Sequence, residues 1–222
     1  MAQLQADQIR DYLRSLTVFQ GELPGLNPDE APERPEAFFL EWLGAAVEAG
    51  VREPHAMTLS TLGVDGIPSG RVLILKNVDA DGWQFAVHGS SPKGQDLIQH
   101  PSAALTFYWS AQARQVRVRG PVAAESADRS AADFLARPPG SRAEASIGRQ
   151  SQPLGDRHDL DVATKQARQR IADEPGLIVA EWTLYTLRAT EVEFWQGDKQ
   201  RKHTRLRYTR AGGGWQREAL WP

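Results

Sequence analysis

The sequence predicts a mainly β protein with peripheral helices, its strands antiparallel in a closed or nearly closed barrel. Three observations lead there. Apolar and polar residues alternate with period two in short runs along much of the chain, Gly- and Asp-rich turns separate those runs at hairpin distances, and helical periodicity is confined to segments between them. Roughly seven to eight such strands in a meander would leave exposed edges as an open sheet, and barrel closure removes them.

Taken in order, Ala2 to Phe19 spaces Leu4, Ile9, Leu13 and Leu16 as a helix, and Gly21 to Pro35 forms a proline-rich extended linker. Residues 1–35 are therefore expected to be an arm on one domain spanning 1–222. From Glu36, the residues Phe38, Phe39, Trp42, Leu43, Ala46 and Val47 give a helix one broad apolar face, stopped by Gly50 and Pro54. Strands are expected at Met57 to Leu62, Arg71 to Lys76 and Trp83 to Val87, joined by turns at Asp65-Gly66 and Asp81-Gly82. Ser91 suits a helix N-cap and Pro92 the first helical position, so a helix starts there with free N–H groups suited to an anion. Ala103 to Trp109 and Gln115 to Val122 continue the sheet, with Gln115, Arg117 and Arg119 on one face and Val116 and Val118 on the other. Ser126 to Ala136 is helical, Arg137 to Ser141 begins a stiff loop that runs on to Ser151, and Leu160 to Ala172 is a largely exposed helix. Leu177 to Leu187, a hairpin around Gly197-Asp198-Lys199, and Trp215 to Leu220 complete the strands.

Composition narrows the function. With 222 residues, 41% hydrophobic content and a net charge of −2, the chain is an ordinary globular protein without the bulk positive charge of a nucleic-acid binder. It has no Cys, so disulfides, thiolate metal sites and cysteine nucleophiles are excluded, and five scattered His residues show no paired metal spacing. No metal is expected. No apolar run approaches the ~20 residues of a membrane span and the polar N-terminus lacks a signal peptide's core, so a cytoplasmic location is expected.

The chemistry concentrates at the last hairpin, Glu193-Phe194-Trp195-Gln196-Gly197 followed by Arg201-Lys202-His203-Thr204-Arg205. Arginines for phosphate, a ring to pack on and a histidine to hydrogen-bond a heterocycle suit an anionic aromatic ligand. A solvated basic turn beside a core tryptophan is the alternative.

These two segments resemble the C-terminal signature of the pyridoxamine 5′-phosphate oxidase family, flavin enzymes with an FMN-binding split β-barrel, with Lys202 where leucine is usual. Arg71-Val72-Leu73-Ile74-Leu75-Lys76, Arg114-Gln115-Val116, Arg137-Pro138 and Arg149-Gln150-Ser151 are similar to further family motifs in the same order, and the likeness spans about Pro35 to Pro222. The resemblance implies an antiparallel split β-barrel and a homodimer with two FMN sites. It implies Arg71, Lys93 and Ser151 at FMN or its phosphate, and Gln115, Gln150, Trp195 and Arg205 around the flavin. Lys76, Arg137 and Ser141 would hold a substrate phosphate, and Arg201 and His203 would address the substrate ring in catalysis. Arg71 and Lys76 fall on opposite faces of a regular strand, which suits two different phosphates. The implied activity is oxidation of pyridoxine or pyridoxamine 5′-phosphate to pyridoxal 5′-phosphate with oxygen as acceptor. The alternatives are oxidation of another aromatic of dihydrophenazine type, or flavin binding without turnover. Three positions depart from the pattern: Pro92 replaces a phosphate-contacting arginine, Asp133 a tyrosine at the substrate phosphate, and Trp182-Thr183-Leu184 a Trp-Gly-Gly.

Overall fold

Among the described residues, ten antiparallel strands share one curled sheet, and the long strand β6 (Arg114–Ala124) holds it together. Along one edge, β6 pairs from Arg114 to Pro121 with β5 (Ser102–Trp109). Along the other it has two successive partners: Arg114 to Arg119 pairs with β8 (Glu191–Gln196), and Val122 to Ala124 with β7 (Trp182–Leu187). The sheet divides at Gly120. A Cβ there would stand 2.2 Å from the Arg188 carbonyl oxygen, so only glycine lets the β7–β8 connection cross so tightly. Outward from β5 run β1 (Ala56–Leu62) and β2 (Pro68–Ile74), and from β8 run β9 (Thr204–Ala211) and β10 (Gly214–Leu220). Beside β7 lie β4 (Gly82–His88) and the short β3 (Asn77–Asp79). This is an antiparallel split barrel.

The computed structural model describes residues 6–222. Helix α1 (Ala6–Ser15) falls within the expected N-terminal helix, whose Leu4 lies outside the described residues. Helix α2 (Pro35–Glu48) inserts Phe38, Phe39, Trp42 and Ala46 into the barrel, where Phe39 meets Phe107 at 4.7 Å between centroids and Phe38 meets Phe194 at 4.4 Å. Truncating a fully buried ring such as Phe39 to alanine costs about 3–5 kcal/mol, so this plug is a principal source of rigidity under the site.

The other helices are α3 (Pro92–Gln99), α4 (Ala127–Leu135), α5 (Pro139–Ser146) and α6 (Arg157–Asp173). Several differ from the sequence expectation. The stretch after Pro138 is a helix rather than a stiff loop, because Pro139 occupies the first helical position, where its missing N–H costs nothing. Strand β2 stops at Ile74, so Lys76 lies beyond it and the parity argument on a continuous Arg71–Lys76 strand does not apply. The chain breaks there to enter β3, with the Lys76 N–H donating to the Gln84 carbonyl at 2.7 Å. Strand β7 begins at Trp182 rather than Leu177. Ten strands among the described residues replace the seven to eight expected, β3 being too short to show a period.

Candidate active site in two halves

The first half lies where β2, α3 and the segment after α5 converge. Ser91 caps α3, its Oγ accepting from the Gly94 N–H at 3.3 Å, and Pro92 follows at the first helical position. A Cβ on Gly94 would stand 2.5 Å from the Gly89 carbonyl oxygen, so glycine allows α3 to seat against the end of β4. Lys93, only 7% exposed, donates to Gln150 Oε1 at 2.5 Å and to Ser91 Oγ at 3.3 Å. It has no ion-pair partner among the described residues. Burial, and then the charge of Arg71, push the Lys93 ammonium below the usual lysine range, with Glu144 pulling back. Arg71 is braced by Thr61 Oγ1 at 2.6 Å and Ser69 Oγ at 2.7 Å, with Asp96 at 3.8 Å, and burial lowers its pKa as well. Arg71 thus has Asp96 as its carboxylate, while the neighbouring Lys93 feels the Arg71 charge and has only neutral hydrogen-bond acceptors. Beside them opens a cleft of about 550 Å³, whose lining includes Lys93, Gln150, Arg137, His88 and Trp182.

Further along this wall, Asp133 of α4 accepts the Trp182 indole N–H at 2.8 Å and sits 3.2 Å from Lys76 Nζ. Arg137 lies 4.0 Å over the Trp182 ring, reaches Glu144 only at 4.0 Å, and buries one terminal nitrogen without a partner. Desolvation lowers its pKa, against the pull of Glu144 and Asp133. Ser141 is half-buried in the first turn of α5, and Ser151 is exposed beside Gln150 in a left-handed conformation, φ 66°. Neither lines the cleft.

The second half is the hairpin of β8 and β9. Register places Gln115 opposite Trp195 and Trp195 opposite Arg205, so three expected site residues form one row across adjacent strands at about 4.8 Å per step. Glu193, 4% exposed, anchors the row: its carboxylate takes Arg205 through two nitrogens at 3.1 and 3.0 Å and Arg117 at 2.5 Å. Burial pushes the Glu193 carboxyl up, but hydrogen bonds and charge from Arg205 and Arg117 outweigh it and hold it below the ordinary range. Gln196 is structural. It accepts from Arg114 Nε at 2.9 Å and donates to the Gln112 carbonyl at 3.0 Å, tying the hairpin base to the β5–β6 turn.

Asp198 shapes the turn by accepting the Gln200 and Lys202 N–H groups, and its own N–H donates to His203 Nδ1 at 3.0 Å. In a neutral His203 the proton therefore resides on Nε2, which is left to donate elsewhere. Phe19, at the end of the arm, packs 5.9 Å from Trp195 and 5.5 Å from His203, with the Arg201 guanidinium 5.6 Å from its ring. A Cβ on Gly197 would lie 2.9 Å from Trp195 and 3.0 Å from Phe19, so glycine permits this stack. Phe19 and Arg201 both adopt positive φ, 57° and 66°, a strained geometry for non-glycine residues that tends to gather at functional sites. Sequence reasoning missed Phe19, Trp182, Glu193 and Asp198 as participants. An isolated aromatic at the end of a polar arm was the one available signal, for Phe19.

The halves occupy opposite faces of the sheet. Arg71 pairs with Leu59 in a row that continues through Leu105, Val118 and Val192, all buried. Gln115, Trp195 and Arg205 share the other face, on which Val72, Ile74 and Tyr108 are exposed.

Comparison with known proteins bears on this architecture. Residues 43–171 match the family model described as pyridoxamine 5′-phosphate oxidase, and residues 182–222 match the pyridoxine 5′-phosphate oxidase C-terminal dimerisation region. The chain belongs to the pyridoxamine 5′-phosphate oxidase family. It is 41% identical over 224 residues, with both chains fully covered, to a pyridoxine/pyridoxamine 5′-phosphate oxidase of Pseudomonas syringae pathovar tomato. The corresponding protein of Azotobacter vinelandii is 40% identical over the same length. Among solved structures, PhzG from Burkholderia lata in complex with tetrahydrophenazine-1-carboxylic acid superposes with a TM-score of 0.83 at 29% identity, covering 91% of this chain and all of that one. A related FMN-binding protein from Nostoc punctiforme superposes at 0.65 with 20% identity over 82% of this chain and 97% of its own, a likeness of fold alone. As a member of the pyridoxamine 5′-phosphate oxidase family the protein is an oxidoreductase, and family and fold together point to a flavin. Among the described residues, no helix is long and apolar enough to cross a membrane.

Proposed function

We propose that the protein is an FMN-dependent oxidase that converts pyridoxine or pyridoxamine 5′-phosphate to pyridoxal 5′-phosphate with oxygen as acceptor, working as a homodimer. The observation that carries the cofactor is Lys93, an ammonium buried beside Arg71 at a helix N-terminus without a counterion. Such a group is costly unless an anion completes it, and a phosphate near −2 charge fits. FMN supplies that phosphate, so Arg71, Lys93 and the α3 N-terminus form its cradle, with Gln150 and Ser151 alongside. Gln115, Trp195 and Arg205 pack around the flavin ring, with Glu193 holding Arg205 in place.

Arg71 and Trp195 lie on opposite faces of one sheet, so a second copy is the economical way to bring them to one ligand. The match to a dimerisation region and the exposed Val72, Ile74 and Tyr108 on the Trp195 face support this. The bound flavin supplies the two-electron acceptor. The chain's own residues bind, orient and exclude water: Arg201 and the Nε2–H of His203 hold the substrate ring, Phe19 covers the hairpin mouth, and Lys76, Arg137 and Ser141 receive the substrate's phosphate arm.

A second reading, oxidation of another aromatic of dihydrophenazine type, is favoured by the Lys76–Asp133 ion pair and by the ligand bound to PhzG. Flavin binding without turnover leaves Arg201 and His203 without a task. The test is anaerobic bleaching of the reconstituted holoprotein. Bleaching by pyridoxine or pyridoxamine 5′-phosphate supports the leading reading; bleaching only by a dihydrophenazine carboxylate moves the protein to the second, and bleaching by none leaves flavin binding alone.

A further inference from the structure

The wall of Lys76, Asp133, Arg137 and Trp182 is built differently from the Arg71–Lys93 cradle. At the cradle Asp96 pairs with Arg71 and leaves Lys93 without a carboxylate, whereas here Lys76 and Arg137 are matched by Asp133 and Glu144, so the wall is neutral before any ligand arrives. Lys76 is already engaged. Its Nζ lies 3.2 Å from Asp133 Oδ1, so any oxyanion it bound at about 2.8 Å would lie within roughly 6 Å of that carboxylate. A phosphate dianion there meets a fixed negative charge at close range, half-buried and poorly screened. An alcohol does not. A hydroxymethyl group both donates and accepts, and the wall offers a carboxylate with spare lone pairs and a buried Arg137 N–H that has no partner.

We propose that Asp133 is a specificity-determining residue that lets this enzyme accept the unphosphorylated, alcohol-bearing vitamer nearly as well as its 5′-phosphate. The inference rests on the reading of the protein as a B6-vitamer oxidase. Asp133 stands in for the missing phosphate: it neutralises Lys76, fixes Trp182 through the indole N–H, and thereby holds the ring over which Arg137 lies. Discrimination against the free alcohol normally comes from leaving buried cations unpaired, and Asp133 removes that penalty while adding one against the dianion.

The experiment is steady-state kcat/KM of the holoenzyme for pyridoxine 5′-phosphate and for pyridoxine, in the native protein, Asp133→Asn and Asp133→Glu. Using the ratio of the two substrates within each protein cancels differences in folding or flavin content. The native ratio is expected within about ten-fold of unity, and Asp133→Asn, which frees Lys76 and keeps an acceptor for Trp182, should raise it on the order of 100-fold. Asp133→Glu should keep the ratio low. Asp133→Ser, a second neutral variant, serves if Asn does not fold. A native enzyme that already prefers the phosphate by several hundred-fold, or neutral variants with an unchanged ratio, would overturn the role of Asp133. If neither vitamer bleaches the flavin of the native protein or of the neutral variants under anaerobic conditions, the B6 reading itself fails and takes the proposal with it.

Discussion

Replacing Lys93 by methionine should produce two effects of opposite sign from one change. Methionine has nearly the length and volume of lysine without its charge, so the buried position beside Ser91 and Gln150 is kept. In the cofactor-free protein the ammonium faces Arg71 and has only two neutral acceptors, Gln150 and Ser91, so its removal relieves desolvation and repulsion. The apoprotein should therefore melt higher, by about 2–4 °C per kcal/mol relieved in a chain of this size. FMN binding should move the other way: one charge-assisted contact to phosphate contributes about 1.5–3 kcal/mol, so affinity should fall about ten-fold to a hundred-fold. Riboflavin, without the phosphate, should bind both proteins alike.

The sign of the pH effect follows from the lowered pKa. Below the folded value Lys93 is charged in both states and its full cost is present. Between that value and the ordinary 10.5 the unfolded chain binds more protons, so the Lys93 contribution to apoprotein stability rises with pH across that alkaline window. Lys93→Met removes this rise. Flavin fluorescence titration and thermal melts of the apoproteins across that range measure all three effects. A variant that binds FMN as tightly as the native protein, or an apoprotein less stable than the native one, would refute the placing of a phosphate at Lys93.

Arg201→Ala and His203→Ala should leave the bound-flavin spectrum intact and slow substrate-driven bleaching in stopped flow; normal bleaching would return both to a solvated turn. Glu193→Gln leaves Arg117 and Arg205, both partly exposed, facing a neutral partner and should cost about 1.5–3 kcal/mol at neutral pH. Because its folded pKa is depressed, the stabilisation from Glu193 is present above the ordinary 4.5 and lost as pH falls through the folded value, so denaturant melts of the two proteins should converge in acid. Mixing Lys93→Met with Arg205→Ala should restore one intact site per heterodimer if each site takes one half from each chain. Activity no higher than the sum of the two parents would place both halves in one chain.

Sequence period carried the reading far on the hairpin side. Gln115, Arg117 and Arg119 were legible as one face from alternation alone, and the register then sets them opposite Trp195, Glu193 and Glu191. Pairing between distant segments was not legible. Nothing near Asp133 in sequence marks its partner: it is held by Lys76, 57 positions earlier, while the nearby Arg142 turns to the Pro175 carbonyl at 2.6 Å. That partner depends on β2 ending at Ile74, which releases Lys76 from strand geometry, and such a break leaves no mark in a run of six residues.

The same limit explains why sequence alone does not bring together the residues proposed to hold the flavin. Period two assigns each side chain to a face of its own strand, but the relation between Arg71 and Trp195 depends on the strand order β2-β1-β5-β6-β8, where each antiparallel pairing preserves the face from one strand to the next. Followed across four pairings, Arg71 arrives on the buried row of Val192 and Trp195 on the outward row of Gln115. A phosphate cradle at a core-side rim and an aromatic platform on the outer face serve one ligand only if the outer face of one chain meets the rim of another, and so the topology of the sheet, more than any single residue, argues for a site shared between two chains.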